Sequence, residues 1–409
     1  MAKQLGEALR GDISMERVLD GIRVLDFSHF IAGPYCALLL GAMGAEVIRI
    51  EPPQGGLDRD IGPYAPGGQG MYPWHYCCNK KGITLDTRSA KGRTILKELL
   101  AKSDVVIEAF MPRVKKKIGL DYPSLQAINP GLILVSVSGF GQFGPYADRG
   151  GFDAIAQGMA GMMAVTGHPE GPPLKEGSAI IDYGTGLYGA LGAMLALFQR
   201  QKTGRGQAVD VCLLDTAVSF METVFAEFAV LGQERRGLGN RRPYTAPTDM
   251  FGAKDGYVNI SVSTNKFWDK FCEVIGQEQH KKDSRYNSNR VRYQNQEFLN
   301  ALARQWVATK TVAEVVQALT SAGVPVGPVY SIPQVLQDEH IRAREMIVEL
   351  EYPEVGKVPL PGLALKLSET PGAIDRRGPE IGEHNQQVFG ELLGYDQAQL
   401  AELKKAGVI

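Results

Sequence analysis

Short apolar runs alternate with helical stripes through the first half of the chain. The runs that predict buried strands are residues 21–27, 46–51, 83–86, 104–108 and 132–137. Residues 35–43 predict a helix that ends at Gly44, and Ser89 is placed to cap a second helix that runs to Leu100. Strands and helices that alternate through short connections are typical of a doubly wound parallel α/β sheet. We therefore predict a Rossmann-like large domain that binds its ligands beyond the carboxyl ends of the strands.

The pattern changes in the second half of the chain. Residues 257–263 alternate strictly between polar and apolar and predict one strand of a hairpin, and a capping box at Thr311 predicts a later helix. Between the two halves lies a stretch rich in Gly, Arg, Pro and Thr. The predicted organisation is a large α/β domain over 1–236, a linker over 237–247, a smaller α+β domain over 248–338, and a C-terminal segment over 339–409 that returns to the large domain.

Composition narrows the class of protein. A formal net charge of -1 gives no general attraction to nucleic acid or to an anionic membrane. The five cysteines form no C-x-x-C pair and are odd in number, which argues against a disulfide framework and favours a reducing, cytoplasmic compartment. The first residues carry no apolar signal core, and the apolar run 187–198 is too short to cross a bilayer. We predict no membrane segment.

One carboxylate stands out by its position. An apolar run leads to Asp182, and Gly184 and Gly186 follow it, ahead of a helix predicted over residues 187–198. These glycines predict a turn that a second molecule can approach closely. Free backbone N–H groups at the start of the helix would hold an anion or stabilise one that forms in a reaction. From this stretch alone a helix-capping Asp182 is the favoured alternative, because Asp is a preferred capping residue.

Other chemical signals are weaker. The segment 139–144 matches G-x-G-x-x-G after a strand, but Pro145 and later glycines prolong a loop where a dinucleotide site needs a helix. Basic residues near the predicted strand ends suit a polyphosphate, although the run 115–117 taken alone is typical of a solvated helix face. No cluster at metal-ligand spacing surrounds His29, and no G-x-S-x-G elbow is present. We predict neither a metal site nor a tightly bound cofactor.

Motifs spread through most of the chain resemble the class III CoA-transferases, the group that includes the formyl-CoA:oxalate and crotonobetaine/carnitine enzymes. The matching segments are residues 19–26, Ala32-Gly33-Pro34, 40–48, Asn79-Lys80-Lys81, 137–142, Gly151-Phe152-Asp153, Ile181-Asp182 with Gly186, 203–207, Gly239-Asn240-Arg241, Gly323-Val324-Pro325 and Gly382-Glu383-His384. No single segment is specific to this family, but the segments taken together are. The resemblance implies an interlocked dimer of ring-like chains, with acyl-CoA and a small carboxylic acid as substrates.

The resemblance also implies roles for individual residues. Asp182 becomes the nucleophile, which forms an anhydride with the acyl group and then a thioester with CoA. The backbone N–H groups near Gly184 and Gly186 are the expected oxyanion donors. The implied CoA contacts are His29, Ile31, Ala32, Leu85, Arg88, Ala109, Phe110, Lys117 and Ser138.

The sequence departs from the family pattern at several places. Ile31 stands where the oxalate enzymes have a glutamine, and their glycine-run loop has no counterpart, which argues against oxalate as the acceptor. Ser138 stands where some members have a lysine. Phe152 replaces the histidine of the α-methylacyl-CoA racemase branch, so two-base racemisation lacks one partner. A racemase and a non-catalytic acyl-CoA-binding subunit are the alternative functions.

The substrates and the partner chain stay open. Succinyl-CoA is the donor that the resemblance suggests, and Arg241 and Arg242 either reach a second carboxylate of a dicarboxylic acid or are solvated loop arginines. A homodimer is expected, with a heteromer as the alternative.

Overall fold

The computed structural model describes residues 16–353 and 355–409 of the chain. The fold divides into two units. The first is formed by the chain up to Met162 together with Lys175–Ala229 and Glu339–Ile409, and the second by Met163–Leu174 and Val230–Asp338. The short segment Met163–Leu174 lies in a region that the sequence pattern places in the large domain. It joins the second unit through backbone hydrogen bonds, since the Gly239 N–H donates to the Gly167 carbonyl at 2.7 Å.

A six-stranded parallel sheet forms the centre of the first unit. Its strands are β1 (Arg23–Asp26), β2 (Glu46–Glu51), β3 (Lys80–Thr84), β4 (Val105–Glu108), β5 (Ile133–Ser138) and β6 (Ala208–Cys212), in the order β3-β2-β1-β4-β5-β6. Every neighbouring pair is parallel. The apolar side chains of the central strands are buried on both faces, as the near-continuous runs of Val, Ile and Leu require. The predicted doubly wound α/β fold is confirmed.

Helices cover both faces of this sheet. In the first unit they are α1 (Ala32–Ala42), α2 (Ala90–Ala101), α3 (Pro112–Ile118), α4 (Tyr122–Ile128), α5 (Asp153–Met159), α7 (Ile180–Thr203) and α8 (Leu213–Ser219). Two further helices, α6 (Met162–Val165) and α9 (Val224–Leu231), begin in the first unit and end in the second. The predicted cap of α2 is confirmed, because the Ser89 side chain accepts a hydrogen bond from the Gly92 N–H.

The free edge of β3 is covered by the C-terminal part of the chain. The Thr84 N–H donates to the Asn385 side chain at 2.9 Å, and the His384 N–H donates to the Gly82 carbonyl at 2.9 Å. This part carries the antiparallel pair β10 (Ile347–Tyr352) and β11 (Gly356–Pro361), the helix α15 (Glu339–Ala343), a π-helical segment Gln386–Leu392 and the last helix α16 (Gln397–Lys405). An edge strand that is paired or covered cannot recruit a further strand.

The second unit is a smaller α+β body. Three antiparallel strands, β7 (Thr248–Gly252), β8 (Tyr257–Ser261) and β9 (Val326–Pro328), pack with the helices α10 (Asn265–Val274), α11 (Asn289–Gln294), α12 (Gln296–Val307), α13 (Val312–Ser321) and α14 (Ile332–Gln337). Trp268, Phe271 and Leu299 lie in its core. The predicted hairpin is confirmed, as is the capping box between Thr311 and Glu314.

Helix α7 is longer than its sequence pattern suggests. It extends over 24 residues, and among the described residues it is the one helix long and apolar enough to cross a membrane by length and composition. Its inner face is buried, with Ala193 and Ala196 packed in the core of the first unit. A core helix of a globular protein meets the same criterion of length and hydropathy.

Candidate active site

Asp182 lies inside the first turn of α7 and not in a turn ahead of it. The predicted glycine turn is wrong, because both Gly184 and Gly186 are buried within the helix. A Cβ at Gly186 would lie 2.7 Å from the Ala32 carbonyl oxygen, and one at Gly184 would lie 2.8 Å from the Phe220 ring. The glycines therefore let α7 pack closely on neighbouring backbone and side chains. This close packing outweighs the weak helical propensity of glycine.

The side chain of Asp153 satisfies the start of α7. Its Oδ2 accepts hydrogen bonds from the Ile181 N–H at 2.8 Å and from the Asp182 N–H at 3.3 Å. No side chain at the capping position of α7 makes such a bond, and Asp182 itself is the third residue of the helix. A helix-capping role for Asp182 is therefore excluded. The carboxylate of Asp182 is free of this structural duty.

A buried glutamine supports Asp153. Gln157 is fully buried, its Nε2 donates to Asp153 Oδ1 at 2.5 Å, and its Oε1 accepts from the Glu176 N–H at 2.9 Å. The amide thus uses its donor and its acceptor at once. This chain of contacts links helix α5, the segment before α7 and the first turn of α7. It determines where Asp182 stands relative to the sheet.

Burial and a neighbouring charge raise the pKa of Asp182 to about 7. Desolvation is the larger cause, because a carboxylate loses hydration inside the protein, and the negative charge of Asp153 adds to it. Tyr35 and Tyr183 pack nearby, with ring centroids 4.7 Å apart. Burial, followed by the charge of Asp182, raises the pKa of Tyr72 to about 12, which keeps its phenol protonated at neutral pH.

A cavity of about 230 Å³ opens on Asp182 at the carboxyl ends of β1, β4 and β5. The loop after β1 and the first turn of α1 contribute residues 29–33, and the loop after β4 contributes residues 109–111. The lining also includes Ser138 at the end of β5, Arg149 and Phe152 in the segment before α5, and Leu213 at the start of α8. The strand ends of a parallel sheet are where such folds bind ligands.

Most of the residues expected to contact CoA meet in this cavity. They are His29, Ile31, Ala32, Ala109, Phe110 and Ser138. The other three do not line it: Leu85 is buried in the core, Arg88 is exposed and pairs with Asp86 at 3.0 Å, and Lys117 is exposed on α3. Burial lowers the pKa of His29, so its imidazole is neutral at pH 7, and its ring packs edge-on against Phe110.

The basic run on α3 divides into two kinds of residue. Lys115 is buried and donates to Glu108 at 3.1 Å and to Ser136 at 2.8 Å, so it is a structural residue. Lys116 and Lys117 are exposed on the same helix, close in sequence to the cavity residue Met111. They are the members of the run that remain open to an anion.

The glycines of the loop after β5 allow its two ends to pack closely together. A Cβ at Gly139 would lie 2.7 Å from the Gly151 Cα, so the loop returns onto its own start. Between these two glycines, all of whose intervening residues the structure describes, no helix begins; the next helix is α5. This agrees with the expectation that the motif is not a dinucleotide fingerprint.

Arg241 is already engaged within the second unit. Its guanidinium pairs with Glu297 and lies 3.5 Å from Asp249. These two carboxylates compensate the positive charge of Arg241, which weighs against a role in binding the second carboxylate of a substrate. Among residues 16–353 and 355–409, no group of three or more His, Cys, Asp or Glu side chains could hold a metal ion.

Sequence reasoning did not assign roles to Asp153 or Gln157. Asp153 and Gln157 are four residues apart, a spacing that places both on one face of a helix. That spacing was the available signal for the pair. No local pattern shows that Asp153 reaches residues 181 and 182, because the contact depends on how α5 packs against α7.

Comparison with known proteins agrees with the fold. The chain belongs to the family described as CoA-transferase family III, whose family model matches residues 19–385. The succinyl-CoA–D-citramalate CoA-transferase of Chloroflexus aurantiacus is 36% identical over 395 residues, which is 96% of this chain and 98% of the relative. The succinyl-CoA:glutarate CoA-transferase of Homo sapiens is 32% identical over 402 residues, 98% of this chain and 92% of the relative.

A solved structure gives the same result. A CAIB/BAIF family protein from Brucella suis superimposes with a TM-score of 0.82 at 34% identity and covers 92% of this chain and 100% of its own. The resemblance inferred from the motifs is thereby confirmed, and the chain is a CoA-transferase of class III.

Proposed function

We propose that this enzyme moves CoA from succinyl-CoA to a small carboxylic acid, with Asp182 as the covalent nucleophile. The observation that supports this most is the position of Asp182: a half-buried carboxylate, free of capping duty, that faces the cavity at the strand ends. The acyl group and the pantetheine arm of the donor would lie in this cavity, against the apolar residues of the β1 and β4 loops.

The proposed reaction has four steps. The Asp182 carboxylate attacks the thioester carbonyl of the donor, the C–S bond breaks, and an aspartyl anhydride and CoA thiolate form. The thiolate attacks the aspartyl carbonyl of the anhydride, which gives an aspartyl-CoA thioester and releases the donor acid as its carboxylate. The acceptor carboxylate then attacks the aspartyl thioester, and the released thiolate attacks the acyl carbonyl of the second anhydride. The acceptor leaves as its CoA thioester and Asp182 returns as a carboxylate.

The environment of Asp182 suits a nucleophile that also acts as a leaving group. A carboxylate with few hydration partners is more nucleophilic than one in water, and its raised pKa reflects that loss of hydration. The N–H groups of Gly184 and Gly186, which the resemblance implied as oxyanion donors, do not serve in the proposed mechanism, because both residues lie within helix α7.

The acceptor that we propose is a dicarboxylic acid. Two relatives that match nearly the whole chain are named for D-citramalate and for glutarate, each with succinyl-CoA. Both acceptors carry two carboxylates on a short carbon chain.

We also propose that two copies of the chain form the working enzyme, as the family resemblance implies. Helix α7 leaves an apolar face open, with Leu187, Leu191, Leu195 and Phe198 each more than half exposed. Strand β6 beside it is an edge strand with exposed residues. A second copy would cover this face.

The five cysteines are all free thiols, which fits a reducing, cytoplasmic compartment.

The decisive experiment traps the covalent intermediate. The protein is incubated with succinyl-CoA, quenched with hydroxylamine or borohydride, and digested with trypsin. The peptide of residues 176–200 contains Asp182 and also Glu176, an exposed carboxylate that serves as an internal control. We expect the trapped product on Asp182 and none on Glu176. A chain that binds CoA but leaves Asp182 unmodified with every acyl-CoA tried would be a binding subunit or an isomerase.

A further inference from the structure

Two phenylalanine rings from separate parts of the chain meet beside Asp182. Phe30 lies in the loop after β1 and Phe152 directly precedes α5. Their rings pack edge to face, with centroids 5.4 Å apart and an interplanar angle of 82°. Both residues line the same cavity as Asp182. Asp153, the residue after Phe152, accepts the Asp182 N–H, so the backbone that carries this ring is joined to the nucleophile.

Phe152 exposes an unusually large apolar surface for such a place. Its side chain is 57% exposed, although the neighbouring Asp153 is buried. An open aromatic surface at the wall of a cavity is typical of a site that a ligand covers. Apolar residues such as Ala32 and Ala109 also line the cavity, together with the polar residues Ser138 and Arg149.

Phe30 holds its ring in place at a conformational cost. Its φ angle is 65°, in the left-handed region that a bulky L-residue rarely adopts. Such a backbone is strained for a residue other than glycine. Folding alone would be served better by glycine at this position. Strain of this kind is concentrated at functional sites, where the side chain supplies something that glycine cannot.

The chemistry of the proposed intermediates shows what the rings could supply. The aspartyl-CoA thioester has two fates. In transfer, the acceptor carboxylate attacks its carbonyl. In hydrolysis, water adds to the same carbonyl, the C–S bond breaks, and the products are the Asp182 carboxylate, CoA thiol and one proton. Hydrolysis discards the activated bond, so a transferase must keep water away while one acid leaves and another enters.

We propose that the Phe30–Phe152 pair is the wall that excludes water from the acyl intermediates on Asp182, and so determines the ratio of transfer to hydrolysis. This inference rests on Asp182 as the nucleophile. The rings present carbon to the cavity and offer no hydrogen bond that would hold a water molecule next to the aspartyl carbonyl. The two rings change the ratio of transfer to hydrolysis of the aspartyl-CoA thioester, and not the rate at which this thioester forms.

The test compares two rates in the full-length protein. Succinyl-CoA with isotopically labelled succinate measures transfer by exchange, without a known acceptor. Succinyl-CoA alone measures hydrolysis, as free CoA thiol. We expect Phe30→Gly and Phe152→Ala each to raise the ratio of hydrolysis to exchange by about tenfold or more, with Phe30→Leu in between. Phe143→Ala is the matched control, because Phe143 is 82% exposed and does not line the cavity.

A second readout separates this role from a structural one. Phe30→Gly relieves the backbone at φ 65°, so its thermal unfolding midpoint should equal or exceed that of the wild type, while its hydrolysis ratio rises. An unchanged ratio in both variants, or an equal fall of both rates, overturns the inference and leaves Asp182 catalysis standing. A wild-type protein with neither exchange nor labelled Asp182 overturns the proposed function and this inference together.

Discussion

At the scale of single residues, the site depends on two carboxylates with different tasks. Asp153 is bound by backbone N–H groups and by Gln157, whereas Asp182 faces the cavity without such partners. Burial, and after it the negative charge of Asp153, keeps the pKa of Asp182 raised.

The substitution Asp153→Asn should shift the pH dependence of transfer. Asp182 must be ionised to attack, so activity falls as pH drops through its pKa of about 7. The amide introduced by Asp153→Asn still offers an oxygen to the Ile181 N–H but carries no charge, so the pKa of Asp182 falls and the acid limb of the kcat profile moves to lower pH. Asp148→Asn, at an exposed position, is the control. An acid limb that stays in place would show that Asp153 does not act on Asp182 electrostatically.

The substitution Asp182→Asn should abolish transfer and stabilise the fold at alkaline pH. The pKa of Asp182 is raised from 3.8 to about 7 in the folded state, so this carboxyl opposes folding increasingly as the pH rises from about 4 to 7, fully above pH 7, and not below pH 4. We expect a gain of about 1–2 kcal/mol in the free energy of unfolding at pH 8 that shrinks by pH 5. Denaturant titrations at the two pH values measure it. Equal effects at both would contradict the raised pKa.

At the scale of elements, the packing of α7 against α1 positions the nucleophile. Gly186 faces the Ala32 carbonyl, and Gly189 faces Cys36 on the same helix α1. The loop that precedes α1 provides Phe30 and Ile31 for the cavity. A change in the spacing of the two helices therefore moves Asp182 relative to the loop that binds the substrate.

The substitution Gly186→Ala should separate these helices. Its Cβ would lie 2.7 Å from a backbone oxygen, which a side-chain rotation cannot relieve. We expect a loss of about 1–3 kcal/mol in the free energy of unfolding and a larger relative loss of kcat than of CoA binding. Gly177→Ala is the control, because nothing lies within 4 Å of the added atom. Wild-type stability and kcat in Gly186→Ala would show that α7 tolerates the shift.

At the scale of the whole molecule, the open apolar face of α7 leads to a prediction about assembly. Leu191 and Leu195 are 54% and 60% exposed on adjacent turns. A face of this kind is normally buried against a partner in solution.

Replacing Leu191 and Leu195 together by Glu should weaken the proposed dimer. Two buried carboxylates would face apolar surface without partners, so the population of monomer should rise at least about tenfold at micromolar protein. Light scattering after size-exclusion chromatography measures the mass. Leu57→Glu, at a position 75% exposed outside α7, should leave the mass unchanged. A monomeric wild type, or a double variant with the wild-type mass, would refute this face as the interface.

The sequence by itself determined the order of the first five strands of the first unit with the helices α1 and α2, the caps at Ser89 and Thr311, and the membership of the family. These features depend on local periodicity, on capping chemistry within four residues, and on motifs whose residues are contiguous in the sequence. The roles assigned to Asp182 and to the CoA-contacting residues stay predictions from that resemblance.

Only the tertiary structure decided the surroundings of Asp182. It replaced the expected glycine turn by a continuous helix, because close packing against Ala32 and Phe220 requires glycine inside α7. It brought Asp153 to the start of that helix from 28 positions earlier in the chain. It also paired Arg241 with Glu297 and buried Lys115 beside Glu108. Each of these outcomes arises from contacts between elements distant in sequence, and a pattern of neighbouring residues contains no record of them.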